Sequence, residues 1–322
     1  MLAPPSPSAK TAPVARPVDA NAVDSALRRL SRQPQPPWLH AEVARRMAQR
    51  LAVVKLRPAT VLDWWGYTGA SAALLAQAYP QARRVVVEPS AALVQRSMAA
   101  TVSPWWSPRR WLRPKVEVAQ SEPAPLSAQL LWANMMLHAA PDPPSLMQRW
   151  QRLLAADGFL MFSCLGPDTV RELRALYQRL GWPVAGTEFV DMHDLGDMLL
   201  HAGFADPVMD QEHLSLTWSS PQALLAELRG MGCNASSARW PGLCTPRWHD
   251  RLCRELQSLA GADGRLRLSF EIIYGHAFKA APRPHPASET TVALQDMRAM
   301  LRPATSPKAN QTAPPSYSRI GS

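Results

Sequence analysis

The stretch Val61-Leu62-Asp63-Trp64-Trp65-Gly66-Tyr67-Thr68-Gly69 decides the fold. An apolar run over residues 60–63 predicts a strand that ends in an acid, and the turn after it contains two glycines. An Ala/Leu-rich helix over residues 70–78 follows, and then a second strand over residues 84–88 that again ends in an acid, Glu88. The pattern is typical of a β-α-β unit.

The same alternation continues along the chain. Further strands are predicted over residues 115–119, 129–134, 159–164, 208–218 and 266–276, and helices over residues 41–54, 91–100, 144–154, 168–180, 192–202, 221–231 and 245–259. Alternating strands and helices favour a mostly parallel sheet with right-handed crossovers and helices on both faces. We therefore expect an α/β, doubly wound, seven-stranded sheet with helical additions, and a ligand at the carboxyl ends of the strands.

Composition suggests where the folded domain begins and ends. The 32 prolines are concentrated near the two termini and in residues 104–125. Segments rich in Pro, Ala and Ser bury too little apolar surface to offset the entropy of ordering. We expect a disordered segment over residues 1–40, one folded domain over residues 41–280, and a disordered tail over residues 281–322.

Charge and cysteine content narrow the class of protein. The formal net charge of +10 favours acidic partners: nucleic acid, an anionic membrane or an acidic protein. The four cysteines include no C-x-x-C pair, and the eight histidines show neither H-x-x-x-H nor H-E-x-x-H spacing, so no metal site is expected. Without a long apolar run or a secretory signal, the expected location is the cytoplasm.

The strand ends carry the residues that point to a ligand. A glycine-containing turn lets the backbone approach a ligand closely, and a carboxylate at the end of the second strand, Glu88, can accept hydrogen bonds from both hydroxyls of a ribose. This layout suits an adenosyl cofactor. The simpler alternative is that Glu88 is a solvated acid at a strand end.

Several sequence blocks spread over residues 41–278 resemble those of one protein family. These blocks are more specific to that family than any glycine pattern is. They are Val87-Glu88-Pro89-Ser90, Leu131-Trp132-Ala133-Asn134-Met135-Met136-Leu137-His138, Pro141-Asp142-Pro143-Pro144, the run from Phe159 to Thr169, the run from Phe189 to Asp197, the run from Ala202 to Val208, and Tyr274-Gly275-His276. The chain resembles the class I S-adenosylmethionine-dependent methyltransferases, which have a Rossmann-like fold, and more narrowly the malonyl-acyl-carrier-protein O-methyltransferases of biotin synthesis.

The resemblance implies a cofactor and a set of site residues. S-adenosylmethionine would be held by Asp63, Gly66, Gly69, Glu88, Gln120, Ser121 and Asn134, whereas His138 and Arg171 are candidates for the substrate side. Methyl transfer to a carboxylate needs little acid or base assistance, because the acceptor is already ionised near neutral pH. We therefore assign no catalytic residue and no metal, and expect positioning to determine the rate.

Two departures from the family pattern fall on the turn. Where the family has D-x-G-x-G-x-G, this chain has Trp65 and Tyr67 at the first two glycine positions. Either the turn shifts by one residue onto Gly66, or the two rings fill the cofactor pocket. Residues 33–37 also offer only Gln and Pro where relatives have a motif that closes over the cofactor, so a lid is not expected there.

The resemblance implies methyl transfer from S-adenosylmethionine to the free carboxyl of a malonyl thioester on acyl carrier protein. Two alternatives remain: a degenerate methyltransferase fold that binds no cofactor and serves as a binding or regulatory module, and a methyltransferase acting on RNA or a small metabolite. The basic, Trp-rich loop over residues 105–115 suits the acidic surface of an acyl carrier protein, or packs on its own domain. A membrane partner is not expected, and nucleic acid is disfavoured.

Overall fold

The computed structural model describes residues 18–101, 116–124 and 126–280. The predictions for residues 1–17, for the Trp-rich loop and for the tail from residue 281 lie outside these ranges. The helices are α1 (Ala20–Leu30), α2 (Trp38–Arg50), α3 (Ala72–Ala78), α4 (Ala91–Thr101), α5 (Pro143–Leu153), α6 (Arg171–Arg179), α7 (Met192–His201), α8 (Pro221–Met231) and α9 (Pro246–Gln257). The strands are β1 (Thr60–Trp64), β2 (Arg83–Val87), β3 (Val116–Ala119), β4 (Ala128–Ala133), β5 (Leu154–Leu165), β6 (Ala205–Trp218) and β7 (Leu266–Phe278).

One seven-stranded sheet has the order β3-β2-β1-β4-β5-β7-β6. The first five strands are parallel, and β7 runs antiparallel to both β5 and β6. The predicted doubly wound α/β sheet is confirmed. Strand order reverses between β1 and β4, so the crevice for a ligand is expected at the carboxyl ends of these two strands.

The central strands are buried on both faces, as a parallel sheet covered by helices requires. Leu62, Leu130 and Leu131 have no exposed surface, and two buried clusters lie on opposite faces of the sheet. The largest side chains with almost no exposure are Trp132, Trp150, Phe159 and Phe162. This packing gives the loops after β1, β2 and β4 a rigid base.

The N-terminal segment differs from the sequence prediction. Residues 20–30 form α1, capped by the Asp19 carboxylate, which accepts a hydrogen bond from the Asn21 N–H (2.8 Å). Ala26, Leu27 and Leu30 of α1 are buried. The expectation of disorder was wrong for this helix, because an apolar face at helical spacing is obscured when composition is averaged over residues 1–40.

None of the helices described in the structure is both long and apolar enough to cross a bilayer.

Candidate functional site

Backbone hydrogen bonds hold the turn after β1, one of them to β2 and one within the turn. The Trp65 N–H donates to the Val87 carbonyl (2.7 Å), and the Gly69 N–H donates to the Trp65 carbonyl (2.9 Å). Trp65 itself has a left-handed backbone (φ 58°), which costs a residue with a side chain of the order of 1 kcal/mol. The turn has therefore not shifted its left-handed position onto Gly66.

Gly66 serves close packing instead. A Cβ atom at this position would lie 2.6 Å from Asp63 Oδ2 and 2.9 Å from the Val86 side chain. Asp63 is 1% exposed, and the Ser71 hydroxyl lies 2.7 Å from both of its carboxylate oxygens. Burial raises the pKa of Asp63 to about 6, although the charge of Arg84 and the Ser71 hydroxyl act in the opposite direction. The buried Asp63 carboxylate thus stabilises the turn through its contact with Ser71.

Glu88, directly after β2, has 0% exposure. Its Oε1 accepts hydrogen bonds from the Tyr67 N–H (2.7 Å) and from the Ser97 hydroxyl (2.5 Å). Its Oε2 is buried and accepts no hydrogen bond from the described residues. Burial raises the pKa of Glu88 to about 7, Ser97 and Tyr67 lower it, and the charge of Asp63 raises it further. Glu88 therefore keeps one acceptor atom for another donor.

Tyr67 and Arg96 form a cover beside Glu88 together with the backbone of Gln33 and Pro34, and we call this group the Tyr67 cover. The Tyr67 hydroxyl donates to the Gln33 carbonyl (3.1 Å), and Arg96 Nη2 donates to the carbonyls of Gln33 (2.6 Å) and Pro34 (2.9 Å). The Arg96 guanidinium carbon lies 5.0 Å from the centroid of the Tyr67 ring. Residues 33–34 are thus held over the turn by the tyrosine that replaces a family glycine.

Asn134, directly after β4, makes three hydrogen bonds within the protein through its side chain. Its Nδ2 donates to the carbonyls of His40 (2.8 Å) and Gly69 (2.7 Å), and its Oδ1 accepts from the Ser163 hydroxyl (2.6 Å). The structure thus makes Asn134 a link between β4, β5, α2 and the turn. Both Nδ2 hydrogens are thus used within the protein, whereas Oδ1 can accept one further hydrogen bond, and the cofactor role of Asn134 stays a prediction.

The remaining cofactor candidates lie at the end of β3. Gln120 and Ser121 follow this strand and are both exposed. The next residue, Glu122, forms an ion pair with Arg149 of α5, in which Arg149 Nε donates to Oε1 (2.7 Å). The loop is therefore anchored to α5, and Gln120 and Ser121 remain accessible to a ligand.

A cavity of about 820 Å³ opens beside the ends of β1 and β4, and we call it the large cavity. Trp65, Thr68, Met135 and His138 line it at the strand ends, while α1, α6, α8 and α9 supply mainly apolar walls. The His138 ring makes an edge-to-face contact with Phe189, with 5.9 Å between centroids. The structure thus brings His138 to the candidate substrate side. Trp65 borders the cavity, but Tyr67 belongs to the cover, so the two rings do not fill one pocket.

Arg171 does not line the large cavity. Its exposed side chain lies at the start of α6 and pairs with the Asp168 carboxylate (3.3 Å). The structure thus places Arg171 away from the large cavity, and its role as a substrate ligand stays a prediction. Among the described residues, the arginines that line the cavity are Arg29 of α1 and Arg229 of α8. Sequence reasoning missed both, because their proximity depends on a contact between helices about 200 residues apart.

One cluster outside the cavity contains metal-ligand types. Atoms of Asp168, His213 and Glu271 lie within 4.8 Å of one another. Glu271 Oε2 already accepts the Asp168 N–H (2.7 Å), and Asp168 also pairs with Arg171, whose positive charge opposes a cation there. These contacts join β7 to the loop before α6, and this structural role explains why the three side chains lie together.

Comparisons with known proteins agree with this geometry. A family model described as a methyltransferase domain matches residues 38–206. The malonyl-[acyl-carrier protein] O-methyltransferase of Gallionella capsiferriformans is 37% identical over 250 residues, covering 76% of this chain and 85% of that protein. The protein of the same name from Laribacter hongkongensis is 36% identical, covering 76% and 84%.

Among solved structures, the YcgJ protein of Bacillus subtilis aligns with a TM-score of 0.50 at 12% identity, covering 74% of this chain and 99% of that one. This likeness supports the fold. The sequence matches extend over most of both chains, and they confirm the resemblance drawn from the motifs. The chain belongs to the malonyl-[acyl-carrier protein] O-methyltransferase family.

Proposed function

We propose that the protein transfers a methyl group from S-adenosylmethionine to the free carboxylate of a malonyl thioester carried by an acyl carrier protein. The names of relatives 36–37% identical over most of their length support this acceptor. Within the structure, the observation that carries the proposal is the buried Glu88 Oε2, which accepts no hydrogen bond from the described residues. It lies at the strand end where a ribose hydroxyl would donate.

The residues around Glu88 fit an adenosyl cofactor. S-adenosylmethionine, when bound, supplies an activated methyl group. Glu88 would accept from its ribose, Asp63, Gly66 and Gly69 would keep the turn in shape, and Gln120 and Ser121 would face the base. The Tyr67 cover lies over this region, so binding requires the Tyr67 ring to move away from Gln33.

The acceptor side needs orientation more than acid or base chemistry. A carboxylic acid with a pKa of about 4 is already an anion at neutral pH, so the chain need not move a proton. The apolar walls of the large cavity exclude water and hold the acceptor arm, and His138 lies where this cavity meets the end of β4. Rate enhancement then comes from alignment.

Calorimetric titration with S-adenosylmethionine tests the cofactor part. We expect saturable binding by the wild type and a 10- to 100-fold weaker affinity for Glu88→Gln, since a hydrogen bond to a charged group contributes about 1.5–3 kcal/mol. Glu117→Gln, which removes a β3 carboxylate paired with Arg83 of β2, is the matched control and should bind like the wild type. Methyl transfer to malonyl acyl carrier protein, followed with a labelled methyl group, tests the acceptor.

A cofactor-free binding module is the second candidate function, and the Tyr67 cover is the observation that favours it. The two candidates predict opposite titrations. If the wild type shows no saturable binding but the double variant Trp65→Gly, Tyr67→Gly does, the proposed enzymatic function is wrong and the function as a binding module is supported. If the wild type binds the cofactor but methylates an acceptor other than a malonyl thioester, only the acceptor proposed above is wrong.

A further inference from the structure

The large cavity has an unbalanced positive charge. Among its described lining residues are two arginines, Arg29 and Arg229, and no Asp or Glu. His40, which also lines it, is kept neutral because burial lowers its pKa to about 4. An apolar space whose fixed charges are all positive selects a ligand with an apolar stem and an anionic group.

The two arginines are held together by the backbone rather than by acids. Arg29 Nε donates to the Arg229 carbonyl (3.1 Å), and Arg29 Nη2 donates to the Gly232 carbonyl (2.6 Å). Burial and the neighbouring charge of Arg229 lower the pKa of Arg29. In the described part of the chain, neither guanidinium forms an ion pair with a carboxylate, and the nearby Asp19 is already paired with Arg239 (2.6 Å).

Exposure locates the pair at the opening of the cavity. Thr68 and Met135, which line it at the strand ends, are both 3% exposed. Arg29 is partly exposed and Arg229 is exposed. The arginines are therefore at the solvent side, and the buried side borders the strand ends where methyl transfer is expected.

We propose that Arg29 and Arg229 form an oxyanion site at the opening of the large cavity, and that it binds the phosphate of the arm on which the carrier protein holds its thioester. This inference rests on the proposed function. The reacting carboxylate has to reach the strand ends, so the anion left at the opening is the one at the carrier end of the arm. Guanidinium groups bind phosphate oxygens through paired, charge-assisted hydrogen bonds.

The test compares malonyl acceptors with and without the phosphate. Malonyl phosphopantetheine and the malonyl thioester of N-acetylcysteamine are assayed with the wild type, Arg229→Gln and Arg229→Lys. We expect Arg229→Gln to raise KM about tenfold for the phosphate-bearing acceptor, with kcat and the other acceptor's KM unchanged, and Arg229→Lys to recover part of the loss. Arg57→Gln is the matched control, because this exposed arginine precedes β1 at the opposite edge of the sheet.

A binding measurement separates this inference from the proposed function. Titration of the full chain with phosphopantetheine and with pantetheine requires no turnover, and we expect only the former to bind in an Arg229-dependent way. An equal rise in KM for both acceptors would mean that the arginines bind the reacting carboxylate, and would overturn the phosphate assignment. Unchanged KM and unchanged binding in Arg229→Gln would overturn the site itself.

Discussion

The turn beside Glu88 and the large cavity lie at the same edge of the sheet, yet they are built in opposite ways. Around the turn, the chain satisfies most of its own polar groups: the Ser71 hydroxyl donates to Asp63, and the Tyr67 N–H and the Ser97 hydroxyl donate to one oxygen of Glu88. Glu88 Oε2 alone is left for a ligand, since it accepts no hydrogen bond from the described residues. The large cavity instead leaves about 820 Å³ open and keeps positive charge without a carboxylate partner among its described lining residues.

The difference shows where this chain has departed from its family. Trp65 and Tyr67, the two replacements of family glycines, both fall on the closed side or at its border. The acceptor side keeps a volume suited to a long thioester arm. Under the proposed function, the chain would receive an acceptor readily and a cofactor only after the Tyr67 cover moves, which the following predictions test.

The largest effect is expected from the buried carboxylate on the closed side. Glu88 has a pKa of about 7 in the folded protein and 4.5 as its ordinary value, so the unfolded chain loses this proton first as pH rises. Relative to Glu88→Gln, the wild type should lose about 3 kcal/mol of unfolding free energy between pH 4.5 and 7, and no more above pH 7. Urea denaturation of both proteins across this range measures the difference.

His40 and Asp63 are present in both proteins, so their own titrations largely cancel in that comparison. His40 acts with the opposite sign, since its lowered pKa makes the folded state less stable as pH falls from 6.5 to about 4. Glu117→Gln controls for the loss of any carboxylate. Parallel pH curves for the wild type and Glu88→Gln would show that Glu88 is solvated, and the contrast between a dry turn and an open cavity would disappear.

The next effect concerns the side chain that joins the two regions. Asn134→Ala removes the side-chain donor to the buried carbonyls of His40 and Gly69 and the acceptor of the Ser163 hydroxyl, which among the described residues keeps only the hydrogen bond from the Met135 N–H. We expect it to lower the unfolding free energy by about 2 kcal/mol, because unsatisfied buried groups carry a desolvation cost. Asn234→Ala removes two hydrogen bonds nearer the surface, one donated to the Val184 carbonyl (2.8 Å) and one accepted from the Ser236 N–H (3.0 Å), and should cost about 0.5–1 kcal/mol in the same denaturation experiment. Equal losses in the two variants would contradict the linking role of Asn134.

The sequence predicted the sheet more fully than the site. The sequence pattern located all seven strands. The central parallel strands were recognisable because strands buried on both faces read as continuous apolar segments. The strand β5 begins at Leu154, earlier than the predicted residue 159. The prediction began too late because Ala155 to Asp157 lack an apolar strand pattern. The carboxylates Asp63 and Glu88 were found from their places at strand ends.

What could not be predicted depends on contacts between distant parts of the chain. The direction of the Tyr67 ring is set by Arg96 and by the Gln33 carbonyl, 34 residues away from Tyr67. The pairing of Arg29 with the Arg229 backbone needs α1, which composition had assigned to a disordered segment. The cap residue Asp19 and the spacing of Leu27 and Leu30 were the local signals that could have revealed that helix.

The smallest effect is expected from opening the closed side. Tyr67→Ala removes the hydroxyl contact with Gln33 and the ring beneath Arg96. A neutral hydrogen bond contributes about 0.5–1.5 kcal/mol and an exposed cation–π contact about 0.5–1 kcal/mol, so the cover should open more readily. Because binding needs the open form, its larger population should lower the Kd for S-adenosylmethionine by about five- to tenfold in a calorimetric titration.

Tyr67→Phe sharpens that result, because it keeps the ring and removes only the hydroxyl. If the cover acts as a barrier, the Phe variant should bind with an affinity between those of the wild type and Tyr67→Ala. If instead Tyr67→Ala binds more weakly than the wild type, the ring holds the cofactor. Tyr67 would then be part of the cofactor site, and its ring would contact the bound cofactor instead of excluding it.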